Sequence, residues 1–253
     1  IGTLPTAGGT GILEIAGRKV ALTVAASEAA ATTATNLAAA INAWLDPLTL
    51  AYLPVTATAA TNVVTLTARH AGATMNEIEI LSDAGLSGNI FGPSGRLTIA
   101  QTVTAAGAAS VSATLANLGD DPFDWIISPY GDTTNCDAAD AALSDLSGRW
   151  AWNVQLYGHY FTVNTGNTAA QVTYGLARNS RHVSALARVA APTPSWEMLA
   201  AYVGIQLPWL ADDTGGNAAR NQSDRVLEGV RPPRSRALWP NYAVRNTLLT
   251  SGM

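Results

Sequence analysis

The stretch Asp120-Asp121-Pro122-Phe123-Asp124-Trp125-Ile126-Ile127-Ser128-Pro129-Tyr130 decides the fold. A charged, proline-bearing corner runs into a short apolar segment that ends at a second proline, which predicts a strand over 123–128. Trp125, Ile126 and Ile127 are consecutive, so the strand is expected to be covered on both faces, as in a parallel sheet. Downstream, the spacing predicts a helix over 133–147, with Cys136, Ala139, Leu143 and Leu146 on one face and Asp137, Asp140 and Asp145 turned to solvent. A strand follows over 157–163. Thr168-Ala169-Ala170-Gln171 reads as a capping box opening a helix that runs to about Arg178. A strand over 182–189 puts Val183, Ala185, Ala187 and Val189 on one face. Thr193-Pro194 then reads as an N-cap with proline in the first turn, and Trp196, Leu199, Ala200, Val203 and Leu207 form the stripe of the next helix. Strands alternating with helices of this length predict an α/β sheet.

Upstream the pattern changes. Alternation over 12–16 and 20–24, broken at Gly17-Arg18, predicts a hairpin with Val20, Leu22 and Val24 on one face. Leu37, Ala40, Ile41, Trp44 and Leu45 give one helical stripe, with Thr32 or Thr33 as its cap and Pro47 at its end. Strands are expected over 53–58, 63–69, 77–81 and 96–103, and the glycine-rich 85–95 reads as a loop open to motion. The expected fold class is therefore α/β in the broad α+β sense. A β-rich, insertion-type domain with one main helix covers 1–105. An α/β domain, a central sheet flanked by helices, covers 106–253. Regularity fades over 208–240 before a last helix over 242–249.

The 253 residues are 48% hydrophobic and 13% charged, enough apolar material for a core and a surface with few ions to desolvate. That surface suits packing among copies, and it equally suits an alanine-rich genome. Residues 1–149 hold thirteen acids and five bases, a net of −8; residues 150–253 hold five acids and nine bases, a net of +4; together they give the −4 of the chain. Such halves can meet within one chain or between subunits. Lys19 is the sole lysine and the other thirteen cations are arginines, the side chain suited to fixed, forked partners. They form no dense stripe with interleaved aromatics of the kind nucleic acid requires. Cys136 is the single cysteine, which excludes an intrachain disulfide, and no apolar run nears the roughly 20 residues that span a bilayer.

The residues that could carry chemistry are few. No Gly-x-Ser-x-Gly elbow or Walker sequence occurs, and Gly8-Gly9-Thr10-Gly11 precedes a strand where a dinucleotide loop would follow one. His70, His159 and His182 lie in separate elements without metal spacing, although His159 and His182 could approach on neighbouring strands. Asp120, Asp121 and Asp124 could act as an acid/base pair or hold a cation, but turn chemistry at Asp121-Pro122 explains them more simply. Asp212, Asp213 and Asn217 lack the spacing of a calcium loop. Arg231, Arg234 and Arg236 have three readings: a solvated loop, a subunit contact, or a polyanion site. Trp239 and Tyr242 nearby favour the contact. No catalytic, cofactor-binding or metal residue is expected. The competing classes are an α/β hydrolase- or transferase-type enzyme using Asp120, Asp124 and either His159 or His182, and a secreted all-β adhesion module.

Several stretches in order resemble one family. They are Asn117-Leu118-Gly119-Asp120 running through Phe123 to Asp132; Gly158-His159-Tyr160-Phe161-Thr162; Arg178-Asn179-Ser180-Arg181-His182-Val183; Pro192-Thr193-Pro194-Ser195-Trp196-Glu197; and Arg245-Asn246-Thr247-Leu248-Leu249. Ala16-Gly17-Arg18-Lys19-Val20, Ala38-Ala39-Ala40-Ile41-Asn42-Ala43, Leu53-Pro54-Val55-Thr56-Ala57 and Val64-Thr65-Leu66-Thr67-Ala68-Arg69-His70 extend the match. The chain resembles the tail sheath proteins of Mu-like contractile-tailed bacteriophages. The start at Ile1 and the stop at Met253 read as an internal fragment lacking both terminal arms. The resemblance implies a structural, non-enzymatic virion subunit without cofactors, assembled in the host cytoplasm. It would stack in rings around a tail tube and contract to drive the tube through the host envelope. Its implied partners are copies of itself, the tail tube protein, and baseplate and tail terminator proteins, with no nucleic acid and no membrane insertion. Terminal arms adding strands to neighbouring copies are also implied. Candidate subunit contacts are Arg231, Arg234, Arg236, Trp239 and Arg245.

Overall fold

The computed structural model describes residues 1–2, 7–47, 49–82, 88–93, 96–178, 180–211, 226–233 and 235–253. The chain divides into two compact units, Ile1–Ala108 and Ala109–Met253. In the first, β1 (Gly9–Ile15) pairs antiparallel with β2 (Arg18–Val24) and with β5 (Ile80–Ser82), giving the order β2-β1-β5. The β1–β2 turn is Ala16-Gly17, one residue earlier than the sequence suggested, and both residues have positive φ (50° and 75°). That is the backbone a tight two-residue hairpin needs to match strand twist, and it places glycine at its second position. Helix α1 (Ala30–Ala43) packs on β2 and on a second hairpin, β3 (Val55–Ala60) with β4 (Val63–Ala68). Its Leu37 and Ile41 close a core with Leu13, Ile15, Val20, Val24 and Leu53.

The start of α1 is built differently from the expected threonine cap. Ala29 holds the cap position without a side-chain bond, and Glu28 organises the turn. Its carboxylate accepts from the Ala25 N–H (3.0 Å) and the Thr33 hydroxyl (2.8 Å), and these bonds hold its pKa below the usual carboxylate value. The other end is pinned by Arg18 Nε, 3.3 Å from Asp46 Oδ2 in a nearly buried pair. No strand forms over 96–103. Asn76 ties down the chain just beyond it, its side chain bonding both the N–H and the C=O of Ala105 (2.8 and 2.9 Å). The expected strand over 77–81 is a 3-10 turn (Ala73–Glu77) followed by the short β5.

The second unit is built from βαβ crossovers. Strands β6 (Trp125–Ile127), β7 (His159–Thr165) and β8 (Val183–Arg188) lie parallel in that order. They are joined through α3 (Thr133–Leu143) and α4 (Thr168–Ala177). Successive residues of β7 face opposite ways. Tyr160 packs with Cys136, Ala139 and Leu143 of α3 and with Leu115 of α2 (Ser112–Ala116). Phe161 and Val163 pack with Leu199 and Val203 of α5 (Ser195–Ala211). Helix α6 (Tyr242–Thr250) packs on α4 at Gly175, where an added Cβ would sit 2.2 Å from the Ser251 carbonyl oxygen.

Four sequence expectations change here. Strand β6 is an edge and not a doubly covered strand, because α5 lies over β7 and leaves Trp125 37% and Ile127 47% exposed. Helix α3 stops at Leu143, which strands Leu146 in solvent at 91% exposure. Asn167 caps α4, accepting from the Ala170 N–H at 2.9 Å. Gln171 does not reach back to a cap; it is buried and donates to the Asn164 carbonyl (2.7 Å). The acids of α3 are also not merely solvated. The Arg178 guanidinium stacks on Tyr174 and forks between Asp140 (2.9 Å) and Asp137 (2.7 Å), clamping α4 to α3.

That clamp gives a first prediction. Arg178→Lys keeps the charge but loses the planar fork. It is expected to cost about 1–2 kcal/mol, since both carboxylates are partly solvated. Urea denaturation measures the loss, and an Arg178→Lys chain as stable as the wild type would remove the clamp from the account.

Candidate functional site

The proposed chemical residues do not converge. Asp120, Asp121 and Asp124 are all exposed. Their corner is built from the backbone: Arg149, 7% exposed, donates through Nη1 to the Gly119 carbonyl (2.6 Å) and through Nη2 to the Asp121 carbonyl, with its guanidinium over Phe123. Arg149 lies 28 and 30 residues away along the chain, so nothing local in the sequence marked it. His159 opens β7 and His182 immediately precedes the neighbouring β8, but each has its own partner. His159 Nε2 is 2.8 Å from Ser184 Oγ. The His182 ring leans on Trp150 (4.9 Å between centroids), with Nε2 3.5 Å from Asp145 Oδ2. Neither imidazole meets Asp120 or Asp124 in a described side-chain contact. Among the described residues, no three His, Cys, Asp or Glu side chains are grouped to hold a metal ion.

An open pocket of about 520 Å³ lies beside His182, lined by Asp140, Ser144, Asp145, Ser180 and Arg181 among others. Its charges are used internally. Asp145 pairs with Arg181, which lowers its pKa, and Ser180 donates to Asp140. This arrangement fastens the turn before β8 to the end of α3. Burial, and then the charge of His182, depresses the pKa of His159. Above about pH 6.5 this imidazole is neutral in both folded and unfolded chains; below it the unfolded chain takes up the proton first. Stability therefore falls as pH drops below that point, toward the lower folded pKa. Calorimetry is expected to show Tm decreasing between pH 7 and pH 5, with a shallower decrease in His159→Gln. An equal slope in both would refute the assignment.

The subunit-contact candidates cluster at the chain's end. Arg236 stacks on Trp239 (5.6 Å), and Trp239 Nε1 donates to the Pro233 carbonyl (2.8 Å). Both are exposed, as are Arg245, Tyr242 and Leu249 on α6, whose single buried residue is Leu248. Arg231 is half-buried and its backbone N–H donates to Thr193 Oγ1 (2.8 Å). Arg234 lies outside the described residues, as do Asp212, Asp213 and Asn217.

The second unit is thus a parallel α/β sheet with helices on both faces, fastened inside by forked arginines and exposing large aromatics and further arginines. A scan against protein-family profiles found no match. Over 201 residues the chain is 33% identical to the Mu-like prophage FluMu tail sheath protein of Haemophilus influenzae. The matched part is 79% of this chain and 39% of that protein, so the chain spans about two fifths of its relative's length. The similarity read from the sequence, to tail sheath proteins of Mu-like phages, is borne out. No helix among the described residues is long and apolar enough to cross a membrane.

Proposed function

We propose that this sequence is part of a structural subunit of a contractile phage tail sheath. The observation that carries the reading is its 33% identity to a prophage tail sheath protein over most of its length. The subunit polymerises around the tail tube in the virion, with copies of itself as the main partners and tube, baseplate and terminator proteins as the others. Contraction exchanges one set of contacts between near-rigid subunits for another and drives the tube through the host envelope. The first unit, residues 1–108, faces outward, and the second belongs to the sheath core. Two features support this assignment. The two imidazoles that such chemistry would need are engaged in structural contacts, away from the exposed Asp120 and Asp124. The outer edges of β6 and β8 are unpaired among the described residues, which suits strand addition from a neighbouring copy. The full-length protein carrying this sequence is expected to form tubular helical polymers visible by negative-stain microscopy. A full-length protein that remains monomeric at high concentration would overturn the reading.

A further inference from the structure

Two faces of the second unit carry opposite charge around exposed aromatics. On one, the corner leading into β6 exposes Asp120, Asp121 and Asp124 around Phe123, itself 39% exposed. Backbone bonds from Arg149 hold this corner in place, and no described salt bridge neutralises its carboxylates. On the other, Arg236 stacked on Trp239 continues into a face of α6 bearing Tyr242 (78% exposed), Arg245 and Leu249 (73%). Residues 242, 245 and 249 recur at i, i+3 and i+7, so they share one side of the helix. Leu248, about a quarter-turn further round the helix, is its buried residue, and the helix packs on α4.

The topology keeps the two faces apart. The acidic corner feeds β6, the first edge of the β6-β7-β8 sheet, whereas α6 docks on α4, the crossover between β7 and β8. No described contact joins them. We infer that the acidic Phe123 corner of one copy docks on the Arg236–Trp239–Arg245 face of a second copy. This deepens the sheath reading and rests on it, naming two surfaces through which the cores of neighbouring subunits touch. The argument for a second copy as occupant is charge complementarity: three carboxylates around one aromatic meet two guanidiniums around two aromatics. Because the two surfaces differ and are built on separate elements, one such contact leaves a free acidic corner on one copy and a free basic face on the other. Used once per pair of copies, such a contact propagates into a ring or a helix. Exposed charges of this kind set specificity and encounter rate, so the contact weakens steeply with salt.

The test uses two charge-reversed forms of the chain. One carries Asp120→Arg, Asp121→Arg and Asp124→Arg; the other carries Arg236→Glu and Arg245→Glu. All five positions are exposed, so circular dichroism is expected to match the wild type. In low-salt sedimentation velocity the wild-type chain associates weakly, beyond dimer, as concentration rises. Each reversed form alone has like charges on both faces, and its association constant is expected to fall at least about tenfold. Mixed in equal amounts, the two forms are complementary at both faces and should associate again. The inference is overturned if the wild type stays monomeric, if either variant associates as the wild type does, or if the mixture stays monomeric. Tubes of full-length protein alongside any of those results would leave the sheath reading standing and remove only this contact. Restored association of the mixture without full-length tubes would do the reverse.

Discussion

Replacing Tyr160 with alanine is expected to lower the stability of the second unit by about 3–5 kcal/mol, the range for deleting a fully buried large aromatic. Tyr160 is 0% exposed at the start of the central strand, where it joins Leu115, Cys136, Ala139, Leu143 and Val183. The two helices packed on that face of the sheet, α2 and α3, meet it there. Its hydroxyl donates to the Tyr130 carbonyl at 3.3 Å, so Tyr160→Phe separates the ring from the bond. The phenylalanine form is expected to lose only about 0.5–1.5 kcal/mol. Burial pushes the Tyr160 phenol up to about 12 from its usual 10.0. Between those values the unfolded chain gives up its proton while the folded chain keeps it, so stability falls as pH rises through this window. Tyr160→Phe should flatten that alkaline decline. Urea titrations at pH 7 and across pH 10–12 read both effects. Equal losses for the alanine and phenylalanine forms would show that the ring is not the keystone of this face.

Much of this architecture was legible because it is local. Val20 and Val24 announce a strand by alternation, Leu37 and Ile41 a helix by their spacing, and Val183 to Arg188 a strand between two turn signals. What was not legible depends on partners far along the chain. Trp125-Ile126-Ile127 reads as a buried strand because an apolar run does not say how many neighbours will cover it; only the placement of α5 over β7 leaves β6 half-open. Residues 96–103 have strand-like composition but pair with no strand among the described residues, and composition alone does not supply a partner. Glu28 replaces the threonine cap because its carboxylate reaches the Ala25 N–H and the Thr33 hydroxyl together. Of the surface candidates, Arg236 and Trp239 were readable as neighbours three residues apart, and they do stack. Arg149 and Arg178 hold the corner before β6 and the α3–α4 seam through residues 28 to 45 positions away. A single sequence gives no sign of such pairings.

In the first unit the largest effect is expected at Phe91, within the glycine-rich 85–95 whose composition alone reads as an open loop. The described residues 88–93 dock on β1. Asn89 bonds both the N–H and the C=O of Ile12 (2.8 and 3.0 Å), and the Ile90 N–H donates to the Thr10 carbonyl (3.1 Å). This pins the Phe91 ring, 0% exposed, directly over Gly11, where an added Cβ would lie 2.3 Å from the ring. Glycine in a strand interior weakens the strand, so its presence here is explained by the close approach of the ring. Phe91→Ala is expected to cost about 3–5 kcal/mol by opening a cavity above β1. Gly11→Ala alone should cost about 1–3 kcal/mol by overpacking the same space. The double variant places the new methyl into the vacated cavity, so its loss should be smaller than the sum of the two by at least about 0.5 kcal/mol. A double-mutant cycle by chemical denaturation measures that coupling, and hydrogen exchange at the β1 amides should accelerate in Phe91→Ala and partly recover in the double variant. If the two losses simply add, Phe91 and Gly11 are not the contact that fastens this segment to the sheet.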